Sequence, residues 1–98
     1  MAGFRGKYQN KRDANEGEVV ATLRAHGLSV VPLDTPVDLL CGYGGQTWAV
    51  EVKNGKAKLT EAQIAFFEAW RGNHTIIRSV ADAEKFANEI RGFDEKSL

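Results

Sequence analysis

Asp38, Glu51 and Lys53 are the residues whose types and spacing could act together on a substrate. Glu51 and Lys53 stand two apart in Trp48-Ala49-Val50-Glu51-Val52-Lys53, a run with strand-like alternation. Successive side chains of a strand point to opposite faces. Trp48, Val50 and Val52 therefore go to a core face, while Ala49, Glu51 and Lys53 go to the other. An acid two before a lysine is by itself usually a solvated face carrying a weak ion pair. An aspartate on the preceding strand changes the weighing. With Gly42 to Gly45 taken as the loop of a hairpin, Cys41 opposes Gln46 and Asp38 opposes Ala49. Asp38 then lies diagonally across from Glu51 on the same face, at a backbone separation of roughly 7–8 Å. A slip of one residue would send it to the other face.

Two carboxylates converging from that distance can grip one divalent cation. Hard oxygen ligands select Mg²⁺ or Mn²⁺, and Mg²⁺ commonly uses only one or two carboxylates. Such an ion polarises a phosphoryl oxygen and acidifies water. A lysine beside it can orient the water or offset developing charge. The set therefore suits phosphodiester hydrolysis. The carbonyl of Val52 could add a ligand. Glu16 suits the start of the first helix through the helix dipole, and could reach the metal if that end faces the site. Gln63 could orient water or touch a phosphate, or be an ordinary polar residue of a first helical turn.

These residues need elements to hold them. Asp13 to His26 has a helical stripe of Val19, Val20 and Leu23, with Asp13 or Asn15 as cap and Gly27 beyond the end. Leu28 to Leu33 is β-branched and reads as a strand, broken by Asp34-Thr35-Pro36. Val37 to Cys41 and Gln46 to Lys53 form the hairpin, and Asn54-Gly55 marks a turn. Thr60 caps a helix from Glu61 to about Arg71, with Gly72 closing it. Thr75 to Arg78 is a fourth strand. Ser79 to Asp82 resembles a capping arrangement for a last helix to about Arg91, ended by Gly92. The expected architecture is α/β, a four-stranded mixed sheet flanked by helices in the order α-β-β-β-α-β-α. Residues 1–12 read as a flexible basic arm, 13–92 as the domain and 93–98 as a polar tail.

The sequence resembles the PD-(D/E)XK nuclease superfamily, whose motif is an aspartate on one strand, then acid, any residue and lysine on the next. Asp38 and Glu51-Val52-Lys53 are those parts, with Val37 standing between Pro36 and the aspartate. Within it the sequence is most similar to the virus-type replication-repair nuclease (VRR-NUC) family. Leu59-Thr60-Glu61-Ala62-Gln63, the aromatic helix after it, and a short strand leading to Arg78-Ser79 carry that likeness over roughly residues 14 to 90. The resemblance implies a restriction-endonuclease-like core and matches Glu16 to an acidic residue of the first helix and Gln63 to a glutamine. It also implies Mg²⁺ or Mn²⁺ dependence, 5′-phosphate and 3′-hydroxyl products, and a homodimer acting on branched DNA such as a four-way junction. A flap or nicking nuclease, or a DNA-binding protein without catalysis, are the rival readings.

The bulk numbers fit. A chain of 98 residues makes one domain, small enough that a partner subunit would help it. Its 13 basic and 13 acidic residues cancel, so the total says nothing about nucleic acid. The distribution does: Arg5, Lys7, Lys11 and Arg12 precede the first acid, and Lys56 and Lys58 follow Lys53, so both clusters could contact phosphates. Read alone, each is more often a solvated tail or turn. One cysteine, Cys41, excludes an intrachain disulfide and reads as a small buried hydrophobe. Neither a signal-like run nor a membrane span is present, which points to a cytoplasmic protein; a bacterial or phage-infected cell is the expected host. Phe66, Phe67 and Trp70 mark one helix face, a pattern of core or subunit interface rather than a base-stacking platform. Tyr43 could wedge into a junction or pack on a partner. His26 and His74 are assigned no chemistry.

Overall fold

This computed structural model describes residues 14–97, with side chains as far as residue 92. The basic arm at 1–12 lies outside the described residues, as does Asp13. Helix α1 (Glu16–Ala25), strands β1 (Ser29–Pro32), β2 (Leu39–Tyr43) and β3 (Gln46–Val52), helix α2 (Glu61–Ala69), strand β4 (Asn73–Ile77) and helix α3 (Val80–Ser97) follow in the expected order. The strands form one mixed sheet ordered β1-β2-β3-β4. The β1–β2 and β2–β3 pairs are antiparallel, and β3–β4 is parallel. A parallel pair cannot close through a tight turn, so α2 serves as the crossover.

One face of the sheet carries the core. Leu39, Cys41, Val50, Val52 and Ile77 meet Val19 and Leu23 of α1 and Ala83 and Ala87 of α3 there. The two alanines, a helical turn apart and fully buried, let α3 approach closely. Phe86 sits edge-on to Trp48 with ring centroids 5.7 Å apart. By alternation Glu51, Ala49, His74 and Ile76 belong to the opposite face. Helix α2 covers that side: Gln63 bonds Glu51, and Phe67 stacks near His74.

The hairpin departs from expectation in a way that helps the site. Its loop is Gly44-Gly45, not four residues, and Tyr43 pairs with Gln46. Both glycines have positive φ, 60° and 79°, as a two-residue turn of the I′ kind demands. Cys41 consequently opposes Trp48 instead of Gln46. That displacement is two residues, and a strand's period is two, so every side chain keeps its face. Extending the Leu39–Val50 pairing by one step sets Asp38 directly opposite Glu51 rather than diagonally from it.

Other boundaries also move. Helix α2 stops at Ala69, because Trp70 is extended (ψ 127°), and Gly72 is not in the left-handed region. Gly72 instead makes room for the Trp70 indole: a β-carbon there would stand 2.9 Å from the ring. The indole N–H donates to Asn73 O at 3.0 Å, and β4 begins at Asn73, before the expected Thr75. Helix α3 runs through Gly92 to Ser97, so most of the expected polar tail is helical. A glycine inside a helix costs only about 1 kcal/mol against alanine, too little to end one flanked by helix-forming residues. The aromatic set of α2 is not core. Helix α2 has no buried residue, and Ile64 and Trp70 are 44% and 41% exposed. Phe66 packs on Phe67 and Trp70, so these rings mainly cover one another.

Candidate functional site

Asp38 ends the loop into β2 and is held at its backbone and its side chain. Leu33 N–H donates to its carbonyl at 2.7 Å, and Val52 N–H donates to Oδ2 at 2.9 Å. The carboxylate thus reaches across to the strand that carries Glu51. Among the described residues Glu51 is the buried charged side chain, 2% exposed. Gln63 Nε2 donates to its Oε2 at 2.6 Å, and Lys53 Nζ lies 3.9 Å from the same oxygen. Its Oε1 is buried and accepts no hydrogen bond. Burial, and then the Asp38 carboxylate beside it, push the Glu51 carboxyl up to about 8, with Lys53 pulling the other way.

Gln63 performs two tasks with one amide. Its Oε1 accepts from Thr60 N at 2.8 Å while its backbone N–H donates to Thr60 Oγ1 at 3.2 Å, a reciprocal cap for α2. The remaining Nε2 donates to Glu51. The polar residue of the first turn is therefore also a contact of the site.

Asn15 is the residue whose task the sequence hides. It occupies the N-cap position of α1 but makes no side-chain cap. Its Nδ2 donates instead to Lys53 O and Arg78 O, each at 3.2 Å, tying the start of α1 to the exits of β3 and β4. Glu16 follows directly and has a buried Oε1. Arg78 is a second such residue: its guanidinium Nη1 donates to Gly55 O at 3.0 Å and Ala57 O at 2.5 Å. An asparagine before a helix and an arginine after a strand have commonplace roles, so their types gave no signal for these contacts.

The arrangement suits a cation. Two carboxylates lie side by side, and one presents a buried oxygen with no donor; a divalent ion would relieve both strains. Among the described residues no three His, Cys, Asp or Glu side chains gather round one point, so Glu16 forms no three-acid group with Asp38 and Glu51. Lys56 and Lys58 are exposed in the segment between Lys53 and Thr60. Tyr43 packs partly against the protein's own core. Burial pushes the Cys41 thiol up to about 11, as befits a small hydrophobe. His26 Nδ1 sits 2.8 Å from Thr22 O on its own helix. No helix of the described residues is long and apolar enough to cross a membrane.

No family model matches the sequence, and no curated protein matches it. A solved structure described as a VRR_NUC domain does match in three dimensions. Its TM-score is 0.60 at 25% sequence identity, and the match covers 76% of this chain and 95% of that one. The element order, the mixed sheet and that likeness agree, and the chain has a VRR-NUC-like nuclease fold.

Proposed function

We propose that the protein is a divalent-metal-dependent endodeoxyribonuclease acting on branched DNA. The observation that carries this is the Asp38–Glu51 pair with Lys53 Nζ 3.9 Å from Glu51, set in a nuclease-type fold. Asp38 and Glu51 would hold Mg²⁺ or Mn²⁺, with the Val52 carbonyl as a further oxygen donor. When bound, the ion supplies positive charge against the phosphate and makes water more acidic. Lys53 orients the attacking water and offsets charge that builds on the phosphate. Gln63 fixes the direction of Glu51 by its bond to Oε2. The expected products are a 5′-phosphate and a 3′-hydroxyl.

DNA is held through phosphates, by Lys56 and Lys58 and by Arg5, Lys7, Lys11 and Arg12 of the arm, with little base readout. A homodimer, with one site for each of two strands, is supported by the apolar side chains left exposed on α2 and just beyond it, Ile64 and Trp70. The test incubates purified protein with labelled four-way junctions, flaps and plain duplex, in Mg²⁺, in Mn²⁺ and in chelator. Symmetric metal-dependent cuts in the junction are expected. Preference for flaps would shift the substrate, and no cut in any DNA would leave a binding protein.

A further inference from the structure

We infer that Arg78 is a positioning residue for DNA binding: it sets the two lysines of the segment after β3 without itself touching phosphate. The inference rests on the nuclease reading of the site. Its basis is which carbonyls the guanidinium holds. Gly55 O belongs to the peptide group that leads into Lys56, and Ala57 O to the one that leads into Lys58. The peptide plane before each lysine is therefore fixed by the same Nη1, while both lysines stay exposed.

Arg78 is itself held rigidly. Its N–H donates to Asp82 Oδ2 at 3.0 Å, and Asp82 N–H donates to Ser79 Oγ at 3.0 Å, the cap of α3. Its carbonyl accepts from Asn15 Nδ2 and from Gly55 N–H, each at 3.2 Å. Arg78 thus joins the frame of β4, α1 and α3 to a segment outside any helix or strand. Lys53, at the start of that segment, is held by Ile77 O and by Asn15 Nδ2, and beyond it the bond from Ala57 N–H to Asn54 O at 3.1 Å is local. Without the guanidinium the lysines would have to be ordered at the moment of binding, which weakens association. The fixed planes also begin one residue after Asn54, which follows Lys53, so the phosphates gripped flank the site.

The experiment is a double-mutant cycle on full-length protein binding a labelled four-way junction in Ca²⁺ over a range of salt. Each phosphate contact on duplex contributes about 0.9 to the slope of log K against log salt. Lys56→Ala with Lys58→Ala should therefore lower the slope by roughly 1.8. Arg78→Ala alone should weaken binding about tenfold and remove much of that same slope. Added to the double lysine variant, it should change neither quantity. A further additive loss would mean that Arg78 contacts DNA or supports the fold generally, and would overturn the inference. So would wild-type binding by Arg78→Ala. Amide exchange of the DNA-free protein is the check on folding: faster exchange confined to residues 54–59 is expected, and faster exchange across the sheet would also overturn it. Wild-type protein that binds no DNA at any salt would instead bring down the nuclease reading on which the inference stands.

Discussion

Replacing Glu51 with glutamine should stabilise the metal-free protein at neutral and alkaline pH. The side chain is 2% exposed, its Oε1 has no donor, and burial with the Asp38 carboxylate raises its carboxyl from 4.5 to about 8. The sign follows from linkage. Between those values the unfolded chain has released the proton that the folded chain still holds, so stability falls as pH rises. The contribution is fully present below about 4.5 and lost as pH climbs through about 8. Each pH unit in that interval costs about 1.4 kcal/mol, so the whole interval bounds the loss at about 5 kcal/mol. Relaxation and water penetration around the carboxylate reduce this to an expected 2 kcal/mol or so. Glutamine keeps an oxygen for Gln63 Nε2 and can turn an N–H toward Asp38. The assay is thermal unfolding of both proteins in chelator at pH 4.5, 7 and 9. Midpoints should coincide at the lowest pH and separate by roughly 8–16 °C at the highest, the variant being the more stable. Mn²⁺ should then raise the wild-type midpoint and leave the variant's nearly unchanged. Equal pH dependence in the two proteins, or a variant destabilised at pH 9, would refute the reasoning.

Gln63→Ala should cost about 2 kcal/mol by urea denaturation, since it removes half of the α2 cap and leaves Glu51 Oε2 without its donor. Gln63→Glu keeps the capping box but sets a carboxylate against Glu51; its midpoint should recover as pH is lowered toward 5, whereas that of the alanine variant should not. Leu23→Ala, in the fully buried core on the far side of the sheet, should cost about 2–5 kcal/mol, read as a fall in unfolding midpoint, while the folded fraction keeps its cleavage rate.

The pattern of the fold was legible because each element carried its own period or its own stop. Val50 and Val52 went to the core and Glu51 to the opposite face, as alternation requires. Thr60 and Ser79 capped the helices they were expected to cap. The hairpin register was legible only in parity. Three glycines in four positions permit several loops, and the local signal that selects among them is the Gly44-Gly45 pair, which suits the twist of a two-residue turn. Gly72 and Gly92 misled for a related reason: a glycine marks a helix end only when the chain there must turn left-handed. Site residues contributed by strand pattern could be anticipated, but long-range clamps could not. Asn15 reaches 38 and 63 residues along the chain, and its type is equally that of a helix cap. The buried oxygen of Glu51 was likewise hidden, because alternation states the face of a side chain and not what covers that face.

The most direct measurement is single-turnover cleavage of a labelled four-way junction in Mn²⁺ by the wild type and by Lys53→Ala, with DNA binding recorded on the same samples. The wild type should cut and stop cutting in chelator, and the alanine variant should bind the junction but fail to cut it. Cleavage by Lys53→Ala at the wild-type rate would contradict the assignment of the Asp38, Glu51 and Lys53 cluster as the place where the phosphodiester is broken.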